Sequence, residues 1–170
     1  NFYGRTTEVV GGQEVAIQQR TRYPWEGDIE LQIEVPRPVR FVLALRIPGW
    51  CQEPRLMVNG EDSSAQARVQ KGYLQVRREW QRGDRVRLQF DGESARLPIR
   101  RIEAHPSVRA DAGRVALQRG PIVYCLEEID NGPDLNDITL PAASELSAEH
   151  RGDLLGGVTV ITGKALRRER

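Results

Sequence analysis

Asp28-Ile29-Glu30-Leu31-Gln32-Ile33-Glu34-Val35 alternates apolar and polar residues at every step. A period of two puts Ile29, Leu31, Ile33 and Val35 on one side of an extended chain and the polar residues on the other, so the segment reads as a strand with one wet face. On either side of it the same alternation recurs, over residues 14–20, 56–58, 73–77, 86–90, 97–102, 115–117, 122–126 and 158–161. The stretch Phe41-Val42-Leu43-Ala44-Leu45-Arg46-Ile47 is apolar at nearly every position and closes at Pro48-Gly49. That pattern predicts a mid-sheet strand buried on both faces. Helical periodicity is confined to residues 142–150, where Ser144 is a candidate cap for one or two turns.

Between these runs stand Gly11-Gly12, Asn59-Gly60, Arg82-Gly83-Asp84, Asp91-Gly92, Gly120-Pro121, Asn131-Gly132-Pro133 and Gly156-Gly157. They supply the positive-φ or fixed-φ residues that tight turns demand, and Asn59-Gly60 is a type I′ hairpin signal. Many short strands separated by such turns specify an all-β fold, an antiparallel β-sandwich of jelly-roll or immunoglobulin-like kind with at most one short helix. Residues 1–130 are expected to form the sandwich domain. Residues 131–170 read as a loop-rich C-terminal extension that returns to it with a strand near 158–163.

The chain has 170 residues, enough for one core without disulfide staples. Its 25 Lys and Arg against 24 Asp and Glu leave a net charge of +1, which gives no electrostatic case for a nucleic-acid or membrane partner. No apolar run approaches the roughly 20 residues that cross a bilayer. The chain opens at Asn1 without an initiator Met and reads as a piece of something longer, with no signal-like segment before the first strand and a cytoplasmic location as the expectation. The only cysteines, Cys51 and Cys125, form no CxxC pair and read as small hydrophobes. Only His105 and His150 add imidazoles, so neither a self-contained metal centre nor a His-based triad is expected, and no catalytic, cofactor-binding or metal-ligating residue is assigned.

Trp25, Trp50 and Trp80 stand at strand or turn edges. Indoles on a sandwich can stack on the apolar face of a sugar, so these three are the candidate carbohydrate-contacting residues; the reading that outweighs this is core and corner packing. The acidic run of Glu127, Glu128, Asp130, Asp134, Asn136 and Asp137 has the oxygen density for Ca²⁺, but Pro141 falls where an EF-hand would need its closing Glu, and a solvated acidic loop is the stronger reading. Adjacent loop carboxylates give no reason to expect a glycosidase pair held across a cleft. His105, ahead of Pro106, reads as a structural hydrogen-bonding residue. Arg100-Arg101 and the tail Arg167-Arg168-Glu169-Arg170 are the only basic clusters, both too short for a nucleic-acid footprint, and the tail is expected to fray or continue.

Six strings in order carry a resemblance: the opening NFYGR, then QQRTRYPWEGDIELQIE, FVLALRIPGWC, LMVNG, GYLQVRREWQRGDRVRLQF and EAHPSVRADAGRVALQRGPIVYCLEEIDN. Together they resemble the C-terminal β-sandwich region of glycoside hydrolase family 127, the β-L-arabinofuranosidase family, over about residues 1–131 and more weakly through GGVTVITGKAL. The resemblance implies an upstream (α/α)6 barrel that carries the chemistry, with a zinc-bound cysteine nucleophile on that barrel. The family's adjacent-cysteine motif has no counterpart here, so zinc is implied only for that catalytic domain and no cofactor is expected in this chain. The resemblance therefore implies a non-catalytic accessory domain whose main partner is its own barrel, with a homo-oligomer through the sandwich as a further candidate. The alternative is an autonomous carbohydrate-binding module using exposed tryptophans, and a third reading is an immunoglobulin-like structural or adhesion module.

Overall fold

The computed structural model describes residues 2–91 and 97–168. Gly92 of the expected Asp91-Gly92 turn and Glu169-Arg170 of the tail lie outside them. The chain divides into two compact units, the first ending at Leu97 and the second beginning at Pro98; the boundary drawn from sequence falls at 130/131. The strands are β1 (Phe2–Val10), β2 (Gln13–Thr21), β3 (Asp28–Glu34), β4 (Val39–Arg46), β5 (Arg55–Val58), β6 (Glu61–Asp62), β7 (Arg68–Gln70), β8 (Tyr73–Trp80) and β9 (Arg85–Gln89) in the first unit. The second holds β10 (Ile99–Glu103), β11 (Val115–Arg119), β12 (Ile122–Tyr124), β13 (Ile138–Thr139), β14 (Leu146–Arg151), β15 (Val158–Gly163) and β16 (Leu166–Arg167), with one short helix, α1 (Glu128–Asn131).

The first unit is an all-β sandwich of antiparallel sheets, one six-stranded in the order β1-β2-β3-β9-β5-β6 and one three-stranded in the order β4-β8-β7. Period two explains how they pack. Leu31 and Ile33 of β3, Leu56 and Val58 of β5 and Val86 and Leu88 of β9 turn to the inside of the large sheet, where they meet Leu43, Leu74, Val76 and Trp80 of the small one in a single buried cluster. Each such aliphatic side chain, fully buried, contributes about 1.5–3 kcal/mol. The chain passes from one sheet to the other at Gln81–Asp84, the Arg82-Gly83-Asp84 turn read from sequence, where Asp84 accepts from the Gln81 N–H at 2.9 Å and Gly83 takes a φ of 84°.

Asn59 and Gly60 have φ of 54° and 87° between the paired residues Val58 and Glu61, which is the expected two-residue type I′ turn. Lys71-Gly72 makes a second turn of the same kind between Gln70 and Tyr73, unmarked by the usual Asn or Asp. Glycine suits that position because the turn holds it at a φ of 76°, where a Cβ is strained and would also displace the Arg46 guanidinium. The Arg46 Nη1 donates to the Gly72 carbonyl at 2.6 Å.

Two expectations are corrected. The FVLALRI strand is not a mid-sheet strand buried on both faces: β4 lies at the edge of the three-stranded sheet, with Leu43 inside and Val42 37% exposed. Its apolar residues alternate in and out like those of any edge strand with one wet face. Residues 142–150 do not form a helix; residues 146–151 are β14, paired with β15 from Leu146 opposite Gly163 to Arg151 opposite Val158. Six cross-strand pairs outweigh the weak helical pattern, and the one short helix falls instead at Glu128–Asn131, closed by Gly132 at φ 76°.

The second unit is built from a three-stranded sheet, β10-β11-β12, and two two-stranded ones, β13-β16 and β14-β15. Its irregular stretches are held by arginines. Arg101 donates to the carbonyls of Pro141, Ala142 and Ser144, and Arg167 to those of Asn131 and Pro133, both at 2.5 Å. Arg168, whose N–H reaches the Asp137 carbonyl at 2.9 Å, ties the described part of the tail into this unit.

Candidate functional site

Pro24 and Trp25 lie in the turn from β2 to β3, where the N–H groups of Trp25 and Glu26 both bond the Arg22 carbonyl. Trp50 follows β4 at a second turn, closed by the Cys51 N–H on the Pro48 carbonyl at 3.0 Å. Both indoles are half-buried. Phe90, at the end of β9, gathers one corner of the sandwich: Trp50 meets it edge-on at 5.3 Å between centroids and Tyr23 at 5.8 Å. Such edge-to-face pairs are worth about 0.5–1.5 kcal/mol beyond burial. Burial pushes the Tyr23 hydroxyl above its ordinary range, against a hydrogen bond from Trp50 that acts the other way.

Trp80 is elsewhere. It is 0% exposed, its Nε1 donates to the Phe41 carbonyl at 3.3 Å, and its ring lies 5.7 Å from that of Phe41. It presents no face to a sugar. Of the three tryptophans singled out from sequence, then, Trp80 is a core residue, and Trp25 and Trp50 stand in half-buried turns.

The remaining reactive types are dispersed. Cys51 packs on the core, and burial first of all, with the Asp91 charge adding to it, pushes its thiol up to about 11. Cys125 is not inside a strand but one residue past the end of β12, and exposed. The Nδ1 of His105 sits 2.6 Å from the Ser107 hydroxyl in an exposed turn. In the acidic run, Asn131 bonds back to the Glu127 carbonyl at 2.9 Å, Asp134 adopts a left-handed φ of 59°, and Arg167 occupies the Asn131 and Pro133 carbonyls. Among the described residues no three His, Cys, Asp or Glu side chains are gathered closely enough to hold a metal ion. The described residues therefore offer no ligand set that fits the zinc that the resemblance places on the barrel.

Family models place the chain directly. The model described as β-L-arabinofuranosidase, GH127 middle domain, matches residues 1–92, and that of the glycoside hydrolase family 127 C-terminal domain matches residues 99–161. The chain belongs to glycoside hydrolase family 127. A non-reducing end β-L-arabinofuranosidase of Bifidobacterium longum subsp. longum is 33% identical over 175 residues, a match covering 98% of this chain and 25% of that protein. A crystal structure of a GH127 β-L-arabinofuranosidase from Geobacillus stearothermophilus T6 superposes with a TM-score of 0.88 at 48% identity, covering 96% of this chain and 25% of the other. A solved GH127 β-arabinofuranosidase gives 0.84 at 32% identity, covering 97% and 27%. This GH127 chain thus spans about a quarter of the length of these relatives, and it is divided near residue 97 much as the two family models are.

Arg101 and Arg167 are functional in the architectural sense, and sequence reasoning missed them. They sit in the two short basic clusters, but only the fold shows that their donors are spent on carbonyls of loops 34 to 43 residues away.

Proposed function

We propose that this chain is the non-catalytic β-sandwich accessory region of a glycoside hydrolase resembling the β-L-arabinofuranosidases, bracing an upstream (α/α)6 barrel by packing. The observation that carries the reading is the match to the middle and C-terminal domain models of the family, across nearly the whole chain, by a segment equal to a quarter of its relatives. Zinc and its cysteine ligands belong, in this reading, to the barrel. The chain's own cysteines support that division of labour: one is held as a thiol by burial and the other stands alone on the surface of the second unit. The barrel is the main partner, with self-association through the sandwich as a further one.

The test is turnover of an aryl β-L-arabinofuranoside by the segment alone and by the protein with and without it. The segment is expected to be inactive, and its removal from a barrel-containing protein to lower the melting temperature. Hydrolysis by the isolated segment would overturn the assignment.

A further inference from the structure

The outer face of the six-stranded sheet carries two cross-strand rows that packing does not use. Register places Tyr3, Arg20, Glu30 and Arg87 side by side across β1, β2, β3 and β9. The next row, two residues along each strand, is Arg5, Gln18, Gln32 and Arg85. Directly opposed residues point to the same side, and this side is the reverse of the one that carries Leu31, Ile33, Val86 and Leu88 into the core. Over β2, β3, β9 and β5 lies a trough of about 300 Å³ lined by Gln18, Arg20, Gln32, Met57, Arg85 and Arg87; Tyr3 and Arg5, on β1, are not among its lining residues and carry the rows past it.

The two rows differ in charge. In the first, Arg87 is committed to Asp28 through two bonds of 2.7 and 3.0 Å, and Glu30 stands between Arg20 and Arg87. The second has a guanidinium at each end and amides between, with no carboxylate in it. Gln32 gives its Nε2 to Glu34 at 2.7 Å, which leaves its carbonyl oxygen. Among the described residues the side chains of Arg5, Gln18 and Arg85 make no hydrogen bond or ion pair.

We infer that this sheet face, the trough together with the rows that run on to Tyr3 and Arg5 of β1, binds a carboxylate-bearing oligosaccharide, a uronate chain, lying across the strands. Arg5 and Arg85 are three strand spacings apart, about 14 Å at the backbone, a span for several sugar units rather than one. Guanidinium forks match carboxylates in two-pronged geometry. The amides between them offer the mixed donors and acceptors that vicinal hydroxyls require, and Tyr3, 61% exposed at the end of the neighbouring row, adds a ring on which a sugar can pack. The sheet fixes the spacing of their backbones, so that binding orders only the side chains. The occupant follows from the surplus positive charge of the second row and from a lining of mixed polar and apolar character, Met57 among the polar side chains. It uses none of the tryptophans, and it stands whether or not the accessory role is correct.

Calorimetry on the whole protein decides it, with oligogalacturonate as the probe and its methyl-esterified form, a neutral arabino-oligosaccharide and polyaspartate beside it. Oligogalacturonate is expected to bind, more weakly as salt rises, and the other three to bind at least tenfold more weakly. Arg5→Gln with Arg85→Gln should lower the affinity about tenfold or more while the circular dichroism and melting temperature stay as in the parent, since both side chains are exposed. Tyr3→Ala should lower it without changing the salt dependence. No heat with oligogalacturonate, an unchanged affinity in the double variant, or equal binding of the methyl ester or of polyaspartate would each overturn the proposal.

Discussion

Trp80 is the largest side chain with no exposed surface, and its single polar atom is satisfied by a carbonyl of the neighbouring strand. The Arg78 guanidinium lies over the ring, 5.2 Å from its centroid. Trp80→Ala removes the whole ring and leaves a cavity between two sheets, so the expected loss is about 3–5 kcal/mol, read as a lower urea midpoint; Trp25→Ala, at a half-buried turn, is expected to cost clearly less. The two cysteines separate on the same principle of burial. With its thiol pushed up to about 11, Cys51 stays protonated at pH 8, and its reactive thiolate grows only as the pH rises toward that value. Labelling with a disulfide reagent at pH 8 should therefore show one fast thiol, exposed Cys125, and one slow one that accelerates with pH; Cys125→Ser should remove the fast phase. Nothing in the sequence around the three tryptophans separates buried Trp80 from the other two, because each stands beside turn or polar residues and only the partner sheet decides which is covered.

Asn59 illustrates how a turn can serve two elements. Its Nδ2 donates to Asp84 Oδ1 at 2.8 Å and its Oδ1 accepts from the Arg85 N–H at 2.8 Å, so the β5–β6 hairpin is knotted to the crossover from β8 to β9. Asp84 is buried, and losing its donor leaves an oxygen without compensation. Asn59→Ala also puts a Cβ-bearing residue with no side-chain bond at a φ of 54°; together these predict a loss of about 2–4 kcal/mol in equilibrium unfolding, while Asn59→Gly, which keeps the turn but not the bonds, should lose less. Most strands were legible because the alternation that specifies them is local. Where one face of a strand is apolar without being covered, as at Val42 in β4, composition suggested burial that only sheet order could refuse. Where a strand is polar along its length, as Leu-Ser-Ala-Glu-His-Arg in β14 is, no alternation announces it, and its identity comes wholly from the partner strand. β1 went unread because its apolar residues, Phe2, Tyr3, Val9 and Val10, stand in adjacent pairs at its ends and do not alternate.

For the molecule as a whole, the burial is unevenly shared. All fifteen members of the hydrophobic core cluster fall between Val15 and Leu97, and among the described residues of the second unit the buried side chains are Arg119 and Thr159, not aliphatic ones. A segment that buries little apolar surface cannot offset its chain entropy. Residues 1–97 alone are therefore expected to give a cooperative thermal transition with a β-type circular dichroism spectrum, and residues 98–170 alone to give none. The family and its likeness to part of a glycoside hydrolase were legible as an ordered set of strings; the arginine-to-carbonyl ties and the charge of the outer sheet face were not, since both depend on register between residues far apart in the chain. At the rim of the first unit, β1 is the terminal strand of its sheet, hydrogen-bonded to β2 alone and exposed along its length up to Val9. Every second amide from Phe2 to Val10 thus points away from β2, and in hydrogen exchange the strand would read as a comb, slow and fast teeth alternating. The fast teeth form an open template, to which another extended chain could be added rung by rung.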